Sequence, residues 1–296
     1  MYNGGGPQGP PPLTIQGPMK LKTFIPVLVV ILATSAAAQQ VTTGGPRRGY
    51  TPEPGAKDLK AVLFNWTWHM GMLRGPQEVE AVATLEHQAT GVIQVDGQPC
   101  RLSKYRVSTN YQIGGQRIQY TCARPTGQPY SNIEVVSGQF AWNEDMVGAE
   151  IVPGKGKATP MAAALSERLI RLWASPQGAP KAAAAGGDRT TVVWESNKAV
   201  VTYPIPGVAG AVAKATLSDT YQAERVVVTH NGVTTEFTYG KYADWNNELN
   251  KIEAFYAGTL VEKRNGTTVR DLTTTETETG NVYVVVPVPA SVRSAR

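Results

Sequence analysis

The segment Glu224-Arg225-Val226-Val227-Val228-Thr229-His230-Asn231-Gly232-Val233-Thr234-Thr235-Glu236-Phe237-Thr238-Tyr239 decides the fold class. Two β-branched and aromatic runs flank Asn231-Gly232, a dipeptide suited to a two-residue type I′ turn. Such a turn places His230 opposite Val233, Val228 opposite Thr235 and Val226 opposite Phe237. Those six side chains share one face, while Arg225, Thr229, Glu236 and Thr238 take the other. One apolar face and one solvated face is the pattern of an open antiparallel sheet.

Working outward, the same alternation predicts strands over 190–195 and 199–203, then over 255–263, 267–275 and 281–286. Asn265-Gly266 is a second turn signal, and Val286-Pro287-Val288-Pro289 ends the last strand. The N-terminal half repeats the pattern over 79–85, 89–95, 102–108, 116–122 and 133–142, with turns at Asp96-Gly97 and Gly114-Gly115. Strands so closely spaced imply an antiparallel meander.

Two segments carry the helical period instead. Over 56–73, Leu59, Val62, Leu63, Trp66, Met70 and Leu73 share one face. Phe64, Trp68 and Met72 form a second stripe nearly opposite, whereas a surface helix needs only one. This helix must be covered on both sides, with Gly75-Pro76 ending it. Over 160–174, Met161, Leu165, Leu169, Leu172 and Trp173 face one way and Glu167, Arg168 and Arg171 the other, with Pro160 suited to the first turn. The alanine- and glycine-rich 181–187 is either a short helix or a flexible connection. The fold class is therefore α+β and mostly β: a curved antiparallel sheet, an unclosed β-barrel, with helices packed in or over its concave face. The concave sheet is one neighbour of the two-faced helix; the second is the other helix or a bound apolar molecule.

The chain has 296 residues, 42% hydrophobic and 17% charged, with 30 glycines and 21 prolines. That composition excludes a coiled coil and a fully disordered chain. Residues 1–18 carry no charge and read as an extension upstream of the true start. From Met19 the features of a secretory signal follow: Lys20 and Lys22, an apolar stretch over 24–32 and small residues at Ala36-Ala37-Ala38. Export to the periplasm or medium, with cleavage near Ala38, is expected. No cysteine follows the apolar stretch to carry a lipid. Residues 39–55 read as a flexible leader, 56–290 as a single half-barrel domain and 291–296 as a tail. Removing 1–38 takes away two lysines and no acid, leaving 26 basic and 23 acidic side chains, a net of +3. So weak and scattered an excess argues against nucleic acid.

Cys100 and Cys122 are the only cysteines. In an oxidising compartment such a pair reads as one disulfide, across a hairpin that turns at 111–115. A redox pair would be the alternative, but there is no C-x-x-C. His69, His87 and His230 form no H-x-x-x-H or H-x-H pair, so no metal site is expected. No nucleophile elbow, phosphate loop or dinucleotide fingerprint occurs, so neither an enzyme nor a cofactor is expected. Glu144-Asp145 is an adjacent pair whose side chains point apart. Six tryptophans and twelve tyrosines against five phenylalanines suit a cavity wall with a wet rim.

Short runs carry a family resemblance. Gly91-Val92-Ile93, Tyr105-Arg106-Val107, Gln116-Arg117-Ile118 and Ser137-Gly138-Gln139-Phe140-Ala141-Trp142 resemble the periplasmic lipoprotein carriers, the LolA-like family. Ser137 stands where the family carries an aspartate. Glu224-Arg225-Val226, the stretch from Tyr239 to Trp245, and Arg168-Leu169-Ile170-Arg171-Leu172-Trp173 resemble exported relatives of that family. The resemblance implies an unclosed β-barrel with helices as a lid over an apolar cavity that holds lipid or lipoprotein acyl chains. The residues assigned to that cavity are Phe64, Trp68, Met72, Trp142 and Trp173. The expected protein is a soluble, monomeric carrier whose membrane contact is peripheral and transient. The competing reading is an exported structural or interaction domain with a filled core and no small-molecule ligand.

Overall fold

The computed structural model describes residues 50–74, 79–80, 82–246, 254–281 and 283–295. The upstream extension, the signal segment and most of the leader lie outside them. Thirteen strands form one antiparallel sheet. In chain order they are β1 (Thr84–Val95), β2 (Gln98–Asn110), β3 (Gly115–Ala123), β4 (Pro129–Ser137), β5 (Phe140–Glu144) and β6 (Ala158–Pro160). Then come β7 (Thr191–Glu195), β8 (Lys198–Pro204), β9 (Val212–Leu217), β10 (Ala223–His230), β11 (Val233–Gly240), β12 (Thr259–Arg264) and β13 (Thr267–Thr279). Across the sheet they run β6-β5-β4-β3-β2-β1-β13-β12-β11-β10-β9-β8-β7. All neighbours are consecutive in the chain except β1 and β13, the first and last strands, which pair with Ile93 opposite Arg270. β6 and β7 are the free edges, so the sheet is not closed.

The hairpin read first has the expected register: His230 opposite Val233, Val228 opposite Thr235 and Val226 opposite Phe237. Asn231 and Gly232 both have positive φ, 49° and 76°, as a type I′ turn demands. Two boundaries differ from expectation for reasons visible in the backbone. The strands expected over 79–85 and 89–95 are largely one, β1, irregular between Gln88 and Val92. Gly91 there has φ 136°, and a side chain on it would lie 2.0 Å from the Asp271 carbonyl oxygen. The strand expected over 133–142 is two, β4 and β5, folded back at Gly138 with φ 55°. Residues 283–289, expected to begin inside a strand, form none, and a short helix α4 (Ala290–Ser294) follows.

Helix α1 (Leu59–His69) is shorter than its period suggested. Asp58 caps it by accepting from the Ala61 N–H at 3.1 Å. Gly71, with φ 68°, turns the chain off its end before Gly75-Pro76 is reached. Pro160 does not open the second helix; it lies in the edge strand β6, where a missing N–H is tolerated. Helix α2 is Leu165–Ala174, entered through a 3₁₀ turn at Ala162–Ala164. The alanine-rich stretch is helical, as α3 (Gly178–Ala185).

The curl of the sheet follows from what α2 touches. Strands sit about 4.8 Å apart, so β4 and β12, five places apart in the order, would lie roughly 24 Å apart in a flat sheet. Yet one guanidinium on α2, that of Arg171, reaches Glu134 on β4 at 3.3 Å and Glu262 on β12 at 3.2 Å. The sheet must wrap around the helix. Its inner face and helices α1, α2 and α3 enclose the main core, with Val62, Trp66, Leu172, Trp173, Tyr203, Leu217, Val226 and Phe237 among its members. Ile93, Leu102, Val107, Ile118 and the Cys100–Cys122 disulfide form a second cluster. A third, around Trp142, Val135 and Ala158, is covered by Val286 and Val292.

Candidate functional site

Helix α2 carries its site residues on the charged face, opposite its apolar one. Arg168 and Arg171, three apart and so on one face, are both buried. Arg171 pairs with Glu134, with Glu262 and, at 2.7 Å, with Glu167 one turn earlier. Arg270 on β13 joins Glu134 and Glu262, each at 3.4 Å, and donates to the Tyr105 hydroxyl at 3.0 Å. Arg264 on β12 reaches Glu262 at 3.0 Å and Glu167 at 2.5 Å. Arg168 donates to the backbone carbonyls of Val135 and Trp142 and to the Asn143 side chain. Three carboxylates and three of these guanidiniums saturate one another, which is how buried charge becomes tolerable.

The electrostatics match that geometry. Burial would raise the Glu262 carboxyl, but Arg171, Arg270 and Arg264 outweigh it and hold the group down to about 2. Glu167, which is partly exposed, is held to about 2 by Arg171 and Arg264, which outweigh its desolvation. His87, buried beside this cluster, is pushed down to about 3 by burial and then by Arg270. Its Nδ1 has no hydrogen-bond partner among the described residues. Together with Gln116, Tyr256, Arg171, Glu262 and Arg270, it lines a cavity of about 30 Å³. That is room for about one water molecule, far below an acyl-chain pocket.

The other face of α2 is apolar and closes on β8 to β11. Its last carbonyls, orphaned by the end of the helix, are taken up by tyrosines: the Tyr203 hydroxyl donates to Trp173 at 3.4 Å and Tyr239 to Ala174 at 2.7 Å. Helix α3 follows at once, burying Ala179, Ala182 and Ala183. It also buries Lys181, whose amine burial pushes down to about 7 and which lies 5.1 Å from the Tyr111 ring.

The five residues expected to line one cavity are divided. Trp173 and Met72 are buried in the main core. Phe64 and Trp68 stack with ring centres 5.9 Å apart, with Trp68 54% exposed, so this part of the stripe faces outward. Trp142 is buried on the opposite face of the sheet: it pairs with Val135, whose neighbour Glu134 points to the helices. Cys100 and Cys122 are bonded, with Cα atoms 5.4 Å apart. Among the described residues no three metal-binding side chains converge, and no helix is long and apolar enough to cross a membrane.

The charged face of α2 escaped sequence reasoning for a physical reason. Glu134 and Glu262 are 37 and 91 residues from Arg171, and no local period reports partners so distant. The class defined by sheet and helices is an open antiparallel half-barrel with helices seated on its inner face. Among solved structures the chain is similar to an outer membrane lipoprotein-sorting protein domain from Vibrio parahaemolyticus. The TM-score is 0.40 and the identity 9%, over 74% of this chain and 92% of that one. It is also similar to a LolA superfamily protein from Nitrosomonas europaea, with TM-score 0.42 and 10% identity over 77% and 96%. No family model and no curated protein matches the chain.

Proposed function

We propose that the chain is an exported soluble carrier or binding protein for lipid or lipoprotein acyl chains, held here with its own helices in the groove. One observation carries this reading: the inner face of an unclosed sheet is filled by α2 and α3, a connection between its two edge strands. Helix α3 is the more easily displaced. Each of its buried alanines contributes about one methyl group, worth ~0.8 kcal/mol, against roughly 1.5–3 kcal/mol for a leucine. An acyl chain laid in its place would bury more apolar surface than α3 does, and would meet Trp173 and Met72. Phe64 and Trp68 offer an aromatic surface to a chain still outside the groove, and aromatic and methionine side chains adapt to variable shapes. Trp142, on the other face, has no place in this groove.

The signal-like segment over 19–38 supports export to the periplasm or medium with cleavage near Ala38, and the disulfide suits an oxidising compartment. One observation favours a second reading, an exported structural or interaction domain with a filled core: the cavity beside the charged cluster is small, about 30 Å³. Mass spectrometry of lipids co-purified with the exported protein separates the two. Stoichiometric acyl lipid supports the carrier, and protein free of lipid after mild purification supports the interaction domain.

A further inference from the structure

The loop joining β5 to β6, residues 145–157, is unlike the rest of the surface. Met146, Val147, Ile151 and Val152 are each about half exposed. Single exposed aliphatics are ordinary, but four on one short loop are not. Nor does the loop present them by being loose. Its ends close as a hairpin, Asp145 N–H to the Lys157 carbonyl and Lys157 N–H to the Asp145 carboxylate at 2.8 Å. Inside, the Glu150 N–H donates to the Lys155 carbonyl at 2.7 Å, and Ala149 is wholly buried in the cluster around Trp142. The backbone is pinned from below while the four aliphatic side chains are left about half exposed.

The charges are sorted in the same way. Glu150 accepts from the Ala158 N–H and the Ser291 hydroxyl, and Glu144 from Arg117, Trp142 and the Gly148 N–H. Glu144 and Glu150 are thus turned into the protein, and Asp145, the remaining acid of the loop, is exposed with its carboxylate engaged by the Lys157 N–H. Lys155 and Lys157 are exposed and form no ion pair among the described residues. Arg293 is exposed on α4, two residues from the Ser291 that anchors the loop.

Aliphatic tips beside unpaired cations fit one kind of partner, an anionic lipid surface. We propose that the 145–157 loop docks the protein on such a surface, with Met146, Val147, Ile151 and Val152 at the headgroup–acyl boundary and Lys155 and Lys157 on the lipid phosphates. A few aliphatics and two lysines make a reversible contact, not an anchor. The docking goes beyond the carrier reading and does not depend on it, since it needs no groove and no cargo.

The test is co-sedimentation of the full chain with vesicles of phosphatidylcholine alone or mixed with phosphatidylglycerol. All variants share one N-terminus, so any contribution from residues 24–32 cancels. The parent should favour the anionic vesicles. Ile151→Ser with Val152→Ser should weaken binding to them about fivefold or more. Lys155→Gln with Lys157→Gln should weaken anionic binding about tenfold and leave zwitterionic binding unchanged. Unchanged thermal unfolding midpoints show that these exposed substitutions leave the fold intact. Equal binding by parent and both variants overturns the proposal. So does a parent that ignores vesicles but self-associates in sedimentation velocity through a contact that I151S/V152S abolishes, which would make the loop an interface between copies.

Discussion

Glu262 is the residue on which most of the buried charge converges, with Arg171, Arg264 and Arg270 all bonded to a side chain only 1% exposed. Substituting Glu262→Gln keeps the volume but leaves three guanidiniums short of a counter-charge. Breaking a buried pair in this way costs about 3–5 kcal/mol, to be read as a lower urea midpoint with an unchanged slope. The same residues set a pH dependence. Below pH 6.5 the unfolded chain protonates its histidine while folded His87 resists to about 3, so stability falls as pH drops through that window. Below 4.5, Glu262 and Glu167 add the same sign, because their folded groups resist protonation to about 2. On the alkaline side, Lys181 has a folded value of about 7 against 10.5 unfolded. Over that window only the unfolded chain carries the proton, so the lysine makes stability rise with pH. Above pH 10 the buried tyrosines, raised by burial, keep protons that the unfolded chain releases, and they oppose the rise. Urea midpoints measured across pH should show this dome, and Lys181→Met should flatten the limb between 7 and 10.

At the scale of elements, legibility tracks how local the deciding contact is. The β10–β11 hairpin was readable because Asn231-Gly232 and the alternation around it contain the whole answer. Strand β9, Val212–Leu217, went unread because its buried positions are Ala213, Ala215 and Leu217, and alanine gives little strand signal. Helix α2 was found by its apolar face, but the burial of Arg168 and Arg171 on its charged one was not legible, since arginine and glutamate on a helix usually mark solvent. Helix α3 was left between helix and linker, since alanine favours helix while Gly178, Pro180 and Gly186 do not. Its start has no spare room: a side chain at Gly178 would lie 2.1 Å from the Leu172 carbonyl oxygen. Gly178→Ala should therefore loosen α3 more than α2. The carrier account expects faster uptake of an acyl probe by this variant in stopped-flow fluorescence, with the sheet signal in circular dichroism retained.

For the whole molecule, the sequence conveyed an open, curved, mostly antiparallel sheet with helices inside, because alternation and turn residues recur throughout the chain. The pairing of consecutive strands was legible as a meander, but the one pair that departs from it was not. The pairing of β1 with β13 depends on Gly91 letting the Asp271 backbone approach, a long-range contact with no local mark beyond one glycine. The two-faced period of α1 was legible, but not that Phe64 and Trp68 would stay outside while Met72 turns inward past Gly71. The disulfide crosslinks residues 22 apart on adjacent strands. Replacing both cysteines with serine should lower stability by about 3 kcal/mol in chemical unfolding without loss of the fold, because the main core lies elsewhere.

The central claim is that the inner face can exchange α3 for an acyl chain, and titration of the full chain with an environment-sensitive fluorescent fatty acid tests it most directly. The account predicts saturable binding, displaced by unlabelled fatty acid, weakened by Trp173→Ala, and weakened by Trp68→Ala with little change in stability. Absence of saturable binding in both the parent and the Gly178→Ala variant would contradict it and leave the filled-core interaction domain.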